Sequence, residues 1–222
     1  MATKSTGNCY LCGANLGKTA MKTHLLDFHG GDKEGQECYL LKVEGAYNKE
    51  YWLYIDVPVE KPLSAIDGFL RNIWLECCGH MSEFCLPGNI ELDASQKWKD
   101  FAVGSKLFHL YDFGTTSETA ITIMGTIRRK PQKGIVRLLA RNVPPIFQCA
   151  DCGKVAEHIC IVYTEPFENL FYCAECGEKN EDDEHVLLPV TNSPRMGMCA
   201  YDGELDTFAF DPVSIARKQK LN

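Results

Sequence analysis

The chain has 222 residues, 45% of them apolar and 24% charged, with a formal net charge of −7. That length leaves room for one sizeable core with small modules beside it, and the acidic balance excludes a generic nucleic-acid binder. No apolar run approaches the roughly 20 residues that span a bilayer, and "MATKSTGNCYLCG" carries no secretory h-region, so a cytoplasmic location is expected.

In that compartment thiols stay reduced, and the 12 cysteines read as metal ligands sooner than as disulfides. Residues 1–33 offer the first set, "CYLCGANLGKTAMKTHLLDFH". Cys9 and Cys12 form a CxxC, and after eleven intervening residues come His24 and His29, with four residues between them. This is one residue short of the usual two-Cys/two-His zinc finger. A helix from about residue 18 would bring both histidines to one side, with Leu16 and Met21 as a small core. Cys38 is an alternative fourth ligand to His29. A modest lysine excess and no arginine on that helix speak against a base-reading finger.

The stretch 38–146 predicts an α+β core, a mostly antiparallel sheet with one principal helix against it. "CYLLKVEGAYNKEYWLYIDVPV" reads as two strands around "AYNKE", with Trp52, Tyr54 and Asp56 alternating against Leu53, Ile55 and Val57. "LSAIDGFLRNIWLECCGH" reads as the helix, with Ser64 as N-cap, Asp67 three residues on and Gly79 as its stop. Strands follow at 105–114, 118–129 and 134–141, separated by "TTS" and "KPQK", both hairpin-like. "NVPPIF" is the joint to a third module, 147–222.

That module opens on "CADCG" and, twenty residues after Cys152, "CAECG". Cys149, Cys152, Cys173 and Cys176 predict a closed four-thiolate site, with Gly153 and Gly177 turning backbone amides toward the sulfurs. Such a site has no open position for substrate and is structural; rubredoxin-like iron uses the same ligands. About two zinc ions per chain are expected. The fold class is then an α+β core flanked by an N-terminal zinc finger and a C-terminal zinc ribbon.

Several residues are left over. Cys77, Cys78, His80 and Cys85 cluster in "WLECCGHMSEFC" and read as core packing, a further metal site or a Cys–His nucleophile pair. Cys160, His158, His185 and Cys199 lie near the ribbon and offer donors for another metal site, though without a second CxxC pair. Charge is segregated: 128–148 carries Arg128, Arg129, Lys130, Lys133, Arg137 and Arg141 with no acid, whereas 149–185 has a net charge of −8. The expected 128–141 hairpin would meet an anionic partner or be neutralised internally.

"YWLYIDVP", "FLRNIWLECCGHMSEF", "VGSKLFHLYDFG" and "LLPVTNSPRMGMCAY" together resemble the plasmid pRi open-reading-frame-three-like family, from the finger to about residue 203. The resemblance implies an α+β core with zinc modules and no nameable activity, with a hint of mobile-element association. Similar proteins often carry Cys where His29 stands, a further Cys near Tyr163 and a His/Cys pair near 179–183. The last two departures put a second ribbon zinc in doubt. The function expected is a non-enzymatic zinc adaptor with a protein partner and no membrane. The alternatives are a nucleic-acid accessory factor using Arg128, Arg129, Lys130 and Lys133, or an enzyme centred on Cys77, Cys78 or His80.

Overall fold

The computed structural model describes residues 5–31, 34–131, 134–162, 170–180 and 185–219. Lys133, Tyr163 and 181–183 lie outside them. The chain begins with β1 (Thr6–Cys9), β2 (Asn15–Gly17) and α1 (Lys18–His29), then the pair β3 (Gln36–Gly45) and β4 (Trp52–Pro58). A 3₁₀ turn at Leu63–Ala65, the single turn α2 (Asp67–Leu70) and a π turn at Arg71–Leu75 follow. The sheet resumes with β5 (Ser82–Leu86), β6 (Ile90–Leu92), β7 (Lys106–Tyr111), β8 (Ser117–Arg129) and β9 (Arg137–Asn142). Last come β10 (His158–Val162), β11 (Leu170–Tyr172), α3 (Ala174–Asn180), β12 (His185–Pro189) and α4 (Pro212–Gln219).

Nine strands make one antiparallel sheet, in the order β2-β1-β9-β4-β3-β8-β7-β5-β6. The alternation along β4 is real, but both of its faces are covered and all seven residues are buried. Leu53, Ile55 and Val57 join Leu41, Val43, Ile121 and Trp74 on one side. Trp52 and Tyr54 join Leu40, Ile127 and Leu139 on the other, where Met21 and Leu25 of α1 pack onto them. Burial of each such α1 side chain contributes about 1.5–3 kcal/mol.

The first thirty residues therefore roof the sheet, and β1 also extends it. Gly7 pairs with Asn142 and Cys9 with Ala140. Gly7 is where the backbones come closest: a Cβ there would overlap the Arg141 carbonyl and the Trp52 ring. Gly7→Ala is expected to destabilise the chain by about 1–3 kcal/mol through overpacking, read as a lower urea midpoint with zinc held constant.

Three local expectations are corrected. The helix expected from Ser64 to Gly79 is broken into a 3₁₀ turn, one α turn and a π turn, and the longest helix described is α1. The π turn closes through the Glu76 N–H donating to the Arg71 carbonyl, and it buries three consecutive residues, Ile73, Trp74 and Leu75, which a regular helix would spread around its circumference. Ser64 is no cap. Asp67 instead accepts hydrogen bonds from Arg71 and Ser82 and pairs with His109 at 2.8 Å.

"KPQK" does not close a hairpin either. β8 pairs with β3, β9 pairs with β4, and the β3–β4 pair sits between them. The reason is visible in Asp56, fully buried on β4. Arg137 donates to its Oδ2 through Nε (2.8 Å) and Nη2 (2.6 Å), and Arg129 Nε lies 2.6 Å from Oδ1, off the hydrogen-bonding line. The basic stretch thus brackets an internal carboxylate.

β10, β11 and β12 form a separate three-stranded sheet around Cys149, Cys160, Tyr172, Cys173 and Cys176. Beyond it the chain returns to the main sheet. Trp74 Nε1 donates to the Asn192 carbonyl, Ser193 Oγ to the Trp74 carbonyl, and Arg141 pairs with Asp206 at 2.6 Å.

Candidate metal centres

Three groups of four Cys/His donors converge among the described residues, each with its donor atoms within 4.8 Å of one another. Tetrahedral zinc ligation would place two sulfurs about 3.8 Å apart and two imidazole nitrogens about 3.3 Å apart, given bonds of roughly 2.3 and 2.0–2.1 Å.

The first group is Cys9, Cys12, His24 and His29. Cys9 ends β1 and opens a knuckle in which its N–H donates to Ala14 and its carbonyl accepts from Gly13, both at 2.8 Å. Gly13 has φ +82°, a conformation glycine adopts freely. α1 supplies the histidines, whose Nε2 atoms are 3.2 Å apart, with Cys12 Sγ 3.1 Å from His24 Nε2. Burial lowers the pKa of His29, helped by His24 and Arg137, which favours the neutral ligating form. Burial pushes the Cys9 thiol up to about 11, so a cation is what would keep it ionised at neutral pH. Cys38, the alternative ligand, is buried in the sheet and stands outside the group.

The second group is Cys149, Cys152, Cys173 and Cys176. Cys149 repeats the first knuckle: its N–H donates to Lys154 (2.7 Å), its carbonyl accepts from Gly153 (2.9 Å), and Gly153 has φ +70°. The second CxxCG is different. Its residues run into α3, and Gly177 has no positive φ; its bareness admits Leu187, whose Cδ1 would lie 3.0 Å from an added Cβ. The same five-letter pattern thus folds as a turn once and as a helix start once. Cys152 and Cys173 sulfurs are 3.7 Å apart, a tetrahedral edge. Burial raises the Cys149 pKa, but the amides of Cys173, Cys152 and Asp151 outweigh it and bring the thiol to about 6. Crowding by Cys173, with burial, pushes Cys176 up to about 12.

The third group is Cys77, Cys78, His80 and Cys199. The turn after Leu75 supplies three donors, and Cys199 arrives from the returning C-terminal segment. Cys78 Sγ lies 3.6 Å from Cys77 Sγ, 3.6 Å from Cys199 Sγ and 2.9 Å from His80 Nε2. Hydrogen bonding to Cys77 and Cys199 raises the Cys78 thiol to about 12, whereas His80 draws Cys199 down to about 7.

The leftover cysteines are therefore regrouped. Cys199 sits with Cys77, Cys78 and His80. Cys85 is buried on β5, opposite Phe108, and Cys160 is buried on β10; neither belongs to a four-donor group. His158 and His185 lie on the ribbon sheet and likewise stand outside these groups.

The basic residues are split. Arg129 is 3% exposed, held against Asp56, whereas Arg128 and Lys130 are exposed. The three do not form the exposed tip expected of a hairpin. No helix of the described residues is long and apolar enough to cross a membrane.

A scan of family models and a search of curated proteins found no match. Among solved structures, the chain is similar to the protein of unknown function MM3350 from Methanosarcina mazei Go1, with 18% identity and a TM-score of 0.42. The match covers 55% of this chain and 78% of that one.

Proposed function

We propose that this chain is a non-enzymatic zinc protein whose metal modules hold surfaces for a protein partner. The observation that carries the reading is the convergence of Cys9, Cys12, His24 and His29, and separately of Cys149, Cys152, Cys173 and Cys176, into four-donor sets. Four protein ligands fill a tetrahedral ion and leave no position for substrate. Zinc suits a mixed thiolate–imidazole set beside a four-thiolate one, and it brings no redox chemistry. The ribbon offers a contact face: Ile146 and Val155 are 76% and 62% exposed beside the stacked rings of Phe147 and Phe171. That face suits an apolar surface on the partner.

The second reading is a nucleic-acid accessory role, favoured by the exposure of Arg128 and Lys130. Membership of the plasmid pRi open-reading-frame-three-like family belongs to the same proposal and adds no activity to it.

Elemental analysis of the purified full chain is expected to find at least two zinc ions; iron, or no metal, would overturn the zinc reading. Passage over immobilised DNA and RNA in graded salt separates the two roles. No retention is expected for the adaptor. Binding that falls steeply with salt would favour the second reading, and Arg128→Glu with Lys130→Glu would then abolish it.

A further inference from the structure

We propose that Cys77, Cys78, His80 and Cys199 bind a third zinc ion, which fastens the C-terminal segment around 192–201 to the main sheet. The inference rests on the zinc reading of the other two groups but concerns a site with a different construction. In those groups every ligand comes from one module. Here Cys78 and Cys199 are 121 residues apart in sequence, with sulfurs 3.6 Å apart.

The donor set fits the ion. The two sulfur–sulfur distances of 3.6 Å, and the 3.7 Å from Cys199 Sγ to His80 Nε2, match tetrahedral edges, which are about 3.8 Å for sulfur–sulfur and about 3.6 Å for sulfur–nitrogen. The short 2.9 Å from Cys78 Sγ to His80 Nε2 is the edge that would open. Binding displaces the thiol protons to solvent, and three thiolates, a neutral imidazole and Zn²⁺ leave a net charge of −1.

An outer shell of paired charges surrounds the donors, and Asp112 Oδ2 lies 3.4 Å from His80 Nε2. Arg195 is fully buried, and its Nη2 donates to Cys77 Sγ at 3.3 Å and to Asp112 Oδ2 at 2.7 Å. Its Nη1 donates to the Thr115 carbonyl and to Ser117 Oγ, which ties the C-terminal segment to the β7–β8 turn. Below it, the Tyr111 ring lies within 5 Å of both the Arg195 and Arg71 guanidinium carbons, and its hydroxyl donates to Glu76. Glu76 also accepts the Gly79 N–H, which shapes the turn carrying Cys78 and His80. Asp112 balances the guanidinium charge, and the same Nη2 reaches Cys77, where it would support a thiolate once a metal ligates that sulfur. Hydrogen bonds orienting ligands in this way are a usual second layer of a metal site. Asp112 (φ +66°) and Cys199 (φ +53°) are two of the three described non-glycine residues with positive φ. Asp112 adjoins the cluster and Cys199 belongs to it, and such conformations persist where surrounding structure holds them.

Native mass spectrometry of the zinc-loaded full chain tests the site. Three zinc ions are expected in the wild type, two in Cys199→Ser, and three in Cys85→Ala, which removes a buried thiol outside the group. Hydrogen exchange in Cys199→Ser should accelerate at 193–201 while β3, β4 and β8 keep their protection. Should Cys199→Ser not fold, Cys199→His restores a fourth donor and is expected to retain three ions. Two ions in the wild type, with Cys12→Ser and Cys152→Ser each losing one, would overturn the third site and leave the other two standing. No zinc at all would overturn both.

Discussion

Cys173→Ser is expected to erase hydrogen-exchange protection across the ribbon while leaving the nine-stranded sheet protected. The ribbon core is small: Cys149, Cys160, Tyr172, Cys173 and Cys176, with Leu187 against them. Four of its five buried members are cysteines, so little apolar surface remains to hold it once a ligand is gone. In modules of this kind the metal-binding free energy is folding free energy, of order 10–16 kcal/mol for zinc-finger peptides. Protection should vanish at β10, β11 and α3, and persist at 38–44, 52–58 and 106–123. The stretch 192–201 should also stay protected, because Trp74, Arg141 and Asp112 hold it independently of the ribbon. Loss of protection throughout the chain would mean that the ribbon is part of the main core. Retained zinc and retained protection would mean that Cys173 is no ligand.

Asp56→Ala is the second large effect expected. Asp56 is fully buried and Arg129 is 3% exposed, so removing the carboxylate strands a guanidinium inside the sheet. Breaking a buried pair in this way costs about 3–5 kcal/mol. The midpoint of urea unfolding, with zinc in constant excess, should fall accordingly. Asp56→Leu combined with Arg129→Met should recover much of the loss, because the apolar pair carries no charge and Arg137, 23% exposed, can turn its guanidinium to solvent. Glu60→Ala, which breaks the exposed contacts to Lys97 and Lys99, should leave the midpoint unchanged within error. Equal effects at Asp56 and Glu60 would sink the buried-pair explanation.

These two residues illustrate what a single sequence exposes. The CxxC groups are legible because their donors are close in the chain and a two-residue spacing directs both sulfurs to one point. The β4 alternation is legible because the side-chain period of a strand is local. Asp56 is harder: on a pattern basis it is a polar residue facing solvent, and only the β3–β4 insertion between β8 and β9 brings Arg129 and Arg137 against it. The same insertion defeats the "KPQK" hairpin, since the choice of strand partner is a tertiary outcome. Cys199 is the clearest case. Nothing near it signals membership of a donor group, and the donors it joins lie more than a hundred residues away; only the two leftover Cys/His groups, read together, could have suggested it. The repeated CxxCG misleads in the opposite direction, because identical spacing admits both a knuckle and a helix start.

Zinc K-edge X-ray absorption on the purified full chain tests the closed-site claim most directly. Cys9, Cys12, Cys149, Cys152, Cys173 and Cys176 offer six sulfurs, and His24 and His29 offer two nitrogens. The third group, with three sulfurs and one nitrogen, has the same three-to-one ratio, so its occupancy does not change the average. The expected spectrum shows sulfur near about 2.3 Å and imidazole nitrogen near about 2.0–2.1 Å in that ratio, four-coordinate throughout. An oxygen shell from bound water, or fewer than four protein ligands per ion, would contradict it and make these sites open to chemistry.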